Sequence, residues 1–270
     1  MPTNHAILSA SSSHRWLECP PSAKLCAELP DTSSEYAQEG TDAHTLCEHR
    51  LKALLGRETT DPTENLTYYN EEMERCAVEY ATYAYEQVKK AKVACNDPIV
   101  LIEQKLDFSR WVPEGFGTGD CVIVADGTLS VIDFKYGKGV EVLAENNPQM
   151  MLYAFGALEL FDGIYDISAV NMIIFQPRRD NISENAISKE ELLRWANEIL
   201  TPTAQLAANG DGDFKAGKHC RFCKVRATCR KLAEYNLALA RYDFEPPATL
   251  DNIEIAAILA KADELVSWVT

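Results

Sequence analysis

Apolar residues recur at helical spacing from about Ser34 to Gly56, where Ala43, Leu46, Leu51, Leu54 and Leu55 fall on one predicted buried face. A second helical stretch, rich in Glu, Ala and Tyr, runs from about Asn70 to Val93. The period then shortens. PIVLIEQKLDF (98–108) reads as a strand, and residues 119–137 read as a hairpin. Its two apolar runs flank Asp126-Gly127, a dipeptide that accepts the positive φ of a tight turn. Helical spacing returns from Pro148 to Leu160, and ISAVNMIIFQP (167–177) is apolar enough to predict a central strand. Ser188 with Glu191 forms a capping box that opens a helix to about Ala208.

Residues 1–33 read as loop and short helix, broken at Cys-Pro-Pro (19–21). At the other end, Asp251 and Glu254 can cap a final helix. No Gly, Asn or Pro follows to stop it, so the chain is expected to be cut within or just after that helix, the natural protein continuing past Thr270. The order of elements predicts an α/β (α+β) fold, a central mixed β-sheet flanked by helices. It divides into an N-terminal helical segment (1–95), a core (96–210), a Cys-rich segment (211–245) and a C-terminal helix (246–270).

Composition narrows the class. With 46% hydrophobic and 25% charged residues in 270, the chain is neither wholly disordered nor collagen-like. There is no secretory signal and no apolar run near the ~20 residues that span a bilayer, so a soluble, cytoplasmic protein with no membrane partner is expected. Nine cysteines in such a chain fit reduced core residues and metal ligands better than a disulfide framework. The formal charge of −15 argues, taken alone, against a protein that coats nucleic acid.

Three local patterns carry chemistry. Asp120 opens the first hairpin strand and Asp133-Phe134-Lys135 closes the second, so two acids and a lysine converge at one end of the sheet, where Glu103 can join them. Carboxylate oxygens of this kind suit Mg²⁺ or Mn²⁺, and a lysine beside them can orient water or offset charge on a phosphate. Cys220, Cys223 and Cys229 form C-x2-C-x5-C, a metal-ligand spacing for which the adjacent His219 offers a fourth ligand in a Cys₃His zinc site. Residues 214–231 hold seven basic residues and no acid, leaving −22 on the rest of the chain. Lys218, Arg221, Lys224 and Arg226 there, with Arg178 and Arg179 past the 167–177 strand, are candidates to follow a DNA backbone.

The ordered set resembles the PD-(D/E)XK nuclease superfamily, and within it the RecB-like exonucleases. His44 stands in EGTDAHTLCEH, Glu103 in LIEQ, Asp120 in GTGD, Asp133 and Lys135 in DFK, and Gln149 with Tyr153 in QMMLY. The departure is a Gly rather than a Pro before Asp120. The resemblance implies a restriction-endonuclease-like core and a Mg²⁺- or Mn²⁺-dependent deoxyribonuclease of bacterial or phage recombination and repair, working in a bacterial or phage-infected cell. Asp120, Asp133, the backbone carbonyl of Phe134 and His44 would hold the metal. Glu103 would stand in or behind them, Lys135 would be the catalytic lysine, and Gln149 and Tyr153 would position the strand or the DNA.

Some RecB-like members also close a [4Fe–4S] cluster between an N-terminal Cys-Pro after an aromatic and a C-terminal Cys trio. Trp16, Cys19 and Pro20 match the first part. The implied ligands are Cys19, Cys220, Cys223 and Cys229, clasping the two ends of the chain, with Zn²⁺ as the alternative. Cys26, Cys47, Cys76, Cys95 and Cys121 are left without a ligand role. The implied partners are DNA and a single-strand-binding or annealing protein. A non-catalytic DNA-binding subunit with a structural metal site, and an acidic protein that mimics DNA charge, are the other readings.

Overall fold

The computed structural model describes residues 6–30, 34–238 and 250–269, apart from the side chains of 263–265 and 267–269. Residues 239–249, which fall in the Cys-rich and C-terminal segments of the expected division, lie outside the described residues.

The N-terminal segment folds into a 3₁₀ turn (Ala10–Ser12), α1 (Ser13–Glu18) and α2 (Ser22–Ala27). Two long helices follow, α3 (Glu35–Leu54) and α4 (Glu71–Ala94). Ser34 and Asn70 start them by accepting the Ala37 and Met73 amides, which satisfies first-turn donors. A two-pronged ion pair, Arg50 to Glu74 at 2.7 and 2.8 Å, ties α3 to α4. Leu46 and Leu51 are buried as their spacing predicts and Leu55 packs on the same core, whereas Leu54 is exposed.

Among the described residues, five strands form one sheet in chain order: β1 (Ile99–Asp107), β2 (Phe116–Ala125), β3 (Gly127–Phe134), β4 (Ile167–Gln176) and β5 (Asn181–Ser188). All neighbouring pairs are antiparallel except β3 and β4, which run parallel and are joined through α5 (Pro148–Phe161). The β2–β3 turn puts Gly127 at φ +82°, a conformation that L side chains rarely adopt. β5 is the strand that the hydrophobic pattern does not announce. Its sequence, NISENAIS, is mostly polar because it is an edge strand, hydrogen-bonded to β4 and half-solvated. With β5 in place, β4 is an interior strand.

One face of the sheet (Cys121, Ile123, Ile132, Phe134, Ile173) packs under α3 and α4. The other (Val122, Val124, Val131, Met172, Ile174) packs under α5, α1 and the helices after β5. Those are α6 (Lys189–Trp195), opened by the Ser188–Glu191 capping box, and α7 (Thr201–Asn209), joined through one π turn at Ala196–Leu200. Gly156 lets α5 lie against β1: a Cβ there would stand 2.6 Å from Leu106 Cβ. α8 (Arg230–Leu237) and α9 (Asn252–Val269) complete the order, and Asp251 caps α9 by accepting the Ile253 and Glu254 amides. Among the described residues no helix is long and apolar enough to cross a membrane.

Candidate metal centre and cysteine cavity

β2 and β3 pair up to Cys121↔Ile132, so Asp120 and Asp133 face each other one step past the last paired residues. Both are buried. The Phe134 amide donates to Asp120 Oδ2 at 2.7 Å, and His44 Nδ1, from α3, lies 3.3 Å from Asp120 Oδ1. The His44 ring meets the Phe134 ring edge-on, which fixes its orientation.

β1 supplies Glu103 through an irregularity. Val100 and Ile102 pack on the α3/α4 side, yet Leu106, also even-numbered, packs on the α5 side. A regular strand cannot do this, because its side chains alternate. The phase reverses at Glu103, a non-glycine residue held at φ +49° between the pairs Ile102↔Cys121 and Gln104↔Gly119. Such a backbone costs on the order of 1–3 kcal/mol and persists where the surroundings enforce it. The result is that ligand atoms of Glu103, His44 and Asp120 lie within 4.8 Å of one another, the one such group among the described residues.

The second half of the site hangs from α5. Asn147 caps that helix by accepting the Gln149 and Met150 amides, with Pro148 in the first helical position. Gln149 then bridges three groups. Its carbonyl accepts from Lys135 Nζ at 3.1 Å, and its amide lies 3.1 Å from both Asp133 Oδ1 and the Tyr153 hydroxyl. Lys135 Nζ sits 2.8 Å from Asp133 Oδ2 as an ion pair, but that oxygen is buried with no aligned hydrogen-bond donor. Asn147 was missed in the sequence reading, although Asn before Pro is a legible helix start.

The charges are strongly coupled. Burial opposes the charged form of His44, but Asp120, helped by Asp133 and Glu103, outweighs it and holds the imidazole up at about 9. Burial and then the Asp120 carboxylate push Glu103 up to about 7. Burial likewise raises Asp133. For Asp120 burial is outweighed by His44 and the Phe134 amide, and its carboxyl is held low. Burial works against the Lys135 ammonium, but Asp133 overcomes it and raises the lysine. Burial also raises the Tyr153 hydroxyl. The chain thus holds three acids in a small recess, balanced by one lysine and one protonated histidine. A divalent cation fits such a donor set: hard carboxylate oxygens and one imidazole.

A second cavity is lined by Cys19, Cys220, Cys223 and Cys229, with Arg15, His219, Lys215 and Leu232 around them. Cys19 ends α1, Cys220 lies in a 3₁₀ turn (Lys218–Phe222), Cys223 follows that turn and Cys229 caps α8. All four are free thiols. Four thiols facing one cavity suit a thiolate-bound metal group. His219 Nε2 is engaged 3.0 Å from the Lys215 carbonyl. Cys26, in α2 and read from sequence as having no role, brings its Sγ to 3.7 Å from Cys223 Sγ.

Of the basic candidates, Lys218 and Arg221 are exposed, and Lys224 donates to the Leu29 carbonyl at 3.1 Å. Arg226 donates to the Arg221 carbonyl, and Arg179 to that of Lys138. Arg178 departs from its expected place on a DNA path. It turns inward, pairs with Glu39 at 3.2 Å and Glu72 at 3.1 Å, and lies over the Tyr136 ring. Two carboxylates meet it there, so its charge is spent on fixing α3 and α4 to the end of β4.

The fold and site therefore define a helix–sheet–helix α/β protein with a carboxylate, histidine and lysine site where the end of β3 lies beside the middle of β1 and β2; Asp120, expected to open its strand, stands four residues inside it. The chain belongs to the family described as protein of unknown function (DUF2800), whose model matches residues 5–270. Among solved structures it is similar to a candidate exonuclease from Eubacterium rectale, at 10% identity over 93% of this chain and 92% of that one, with a TM-score of 0.42. It is also similar to SSO0001, at 13% identity over 69% of this chain and 95% of that one, with a TM-score of 0.28. Scores this low leave the assignment of function to the site itself.

Proposed function

We propose that this protein is a Mg²⁺- or Mn²⁺-dependent deoxyribonuclease of the RecB-like, PD-(D/E)XK type, an exonuclease of bacterial or phage DNA recombination and repair. The observation that carries the reading is one connected site. Asp120, Glu103 and His44 meet on one side, and Asp133, Lys135, Gln149 and Tyr153 are linked on the other. Asp120, Asp133, the Phe134 carbonyl and His44 would hold the cation, with Glu103 beside them. The bound cation would polarise the scissile phosphate and lower the pKa of the attacking water.

The chain's own residues do the rest. Lys135 keeps its proton, because its neighbours raise it, and offers a fixed positive charge where charge builds on the phosphate. Gln149 holds Lys135 and Asp133 in one arrangement, which removes motion that would otherwise oppose the reaction. Tyr153 steadies Gln149 in turn.

In this reading Cys19, Cys220, Cys223 and Cys229 hold a [4Fe–4S] cluster that clasps segments 1–95 and 211–245 around the core at 96–210. Zn²⁺ is the alternative occupant of the same four thiols. A single-strand-binding or annealing protein is the proposed partner. The test is incubation of anaerobically purified protein with linear DNA and Mg²⁺ or Mn²⁺. Wild type should degrade it and Asp133→Ala should not. An inert wild type, or equal rates, overturns the reading.

A further inference from the structure

We infer that Phe222, with Arg221, is a stacking platform for an unpaired nucleotide, so that the cysteine-rich turn engages single-stranded DNA. This rests on the DNA reading above and adds to it the strand form that the protein recognises.

The turn's geometry comes first. In a 3₁₀ turn residues three apart eclipse each other, so Cys220 and Cys223 both face inward and are buried. Arg221 and Phe222, between them, are thereby forced outward. Phe222 is 77% exposed, yet its backbone is held between two inward-facing thiols. Scattered exposed apolar residues are ordinary and need no explanation. Phe222 differs in its company. The Arg221 guanidinium lies 5.8 Å from its ring centroid, Lys218 stands exposed at the start of the same turn, and residues 214–231 contain no acid.

An aromatic ring in a cationic strip matches a single-stranded polyanion, whose bases stack and whose phosphates pair with lysine and arginine. A duplex keeps its bases stacked internally and offers a free face only at its two ends. An apolar protein partner would not call for a guanidinium beside the ring in a segment that carries seven basic residues and no acid.

The strip is also joined to the candidate metal centre by a short, well-anchored segment. Ala10 and the Tyr153 ring both pack at Gly117, and Cys19 lies nine residues further on. Trp16, fully buried, donates to the Ser9 carbonyl, and Ser13 to that of Ala10.

The experiment measures anisotropy of a fluorescein-labelled oligothymidylate and of a blunt duplex of equal length, at fixed salt, in an Asp133→Ala background so that the probes survive. Adding Phe222→Ala should weaken oligothymidylate binding about ten-fold or more, the loss of one base stack, and leave duplex binding unchanged. Phe222→Trp should retain the affinity and show indole quenching on titration. Unchanged single-strand binding by Phe222→Ala, equal loss for both probes, or no quenching overturns the inference. Cleavage by wild-type protein is scored separately. Metal-dependent cleavage with no Phe222 effect defeats only this inference. Phe222-dependent binding with no cleavage defeats only the nuclease reading.

Discussion

The carboxylate recess and the cysteine cavity are both rich in metal-type donors, and they are held together in opposite ways. In the recess the side chains hold one another: Asp120 by His44 and a backbone amide, Asp133 and Lys135 by Gln149. They stand on three adjacent strands and two helices. The thiols instead come from two segments: Cys19 from the end of α1, and Cys220, Cys223 and Cys229 from a short turn and the start of α8 about 200 residues later. The difference teaches that the recess is braced by hydrogen bonds among its own side chains, whereas the cavity depends on the packing that brings two distant segments together.

The largest expected effects separate the two regions. Asp133→Ala should lower DNA cleavage by on the order of 10²–10³-fold, the scale of a lost transition-state contact, while leaving cysteine-bound iron unchanged in metal analysis. Cys19→Ser should do the reverse. Bound iron falls and, because the cross-link closes about 200 residues, the melting temperature drops by roughly 5–10 °C, while Mn²⁺ affinity at the recess stays near wild type. If Cys19→Ser abolishes Mn²⁺ binding, the two sites are not independent.

Arg178→Ala tests whether the recess depends on the clamp that holds α3. It leaves Glu39 without its arginine while Glu72 keeps Lys138 at 2.9 Å, and should cost about 1–2 kcal/mol in urea unfolding. The pH dependence is a smaller lever. Glu103, at about 7 against 4.5, and His44, at about 9 against 6.5, both bind protons more tightly when folded. Their contribution to stability is complete below pH 4.5 and 6.5, and is lost as pH rises through 7 and 9 respectively. Mn²⁺ must displace these protons, so calorimetry should show affinity rising by about ten-fold per pH unit between 7 and 9, with the slope lost in His44→Ala. The smallest effect is expected from Cys26→Ser. Its sulfur touches Cys223 without lining the cavity, and bound iron should stay at the wild-type level.

Most of the architecture was legible because periodicity reports burial. The two long helices, the hairpin, α5 and β4 each bury a face or a whole segment, and their apolar spacing says so. β5 escaped because an edge strand needs few apolar residues. The site residues were legible as an ordered motif, but Glu103 was placed only by a phase reversal that one strained φ produces, and no residue pattern announces that. Arg178 read as free positive charge because its partners, Glu39 and Glu72, are more than 100 residues away in sequence. Cys26 read as inert for the same reason: its contact with Cys223 spans 197 residues. Non-local pairing is the common cause. Sequence spacing reveals which residues share an element, and only the packed sheet reveals which elements share a site.

The most direct test of the central claim is single-turnover cleavage of linear DNA by Lys135→Ala at saturating Mn²⁺, with Mn²⁺ binding measured on the same preparation. The account predicts that the variant binds Mn²⁺ while cleavage falls by on the order of 10²-fold or more. Cleavage at the wild-type rate with Mn²⁺ bound would contradict it.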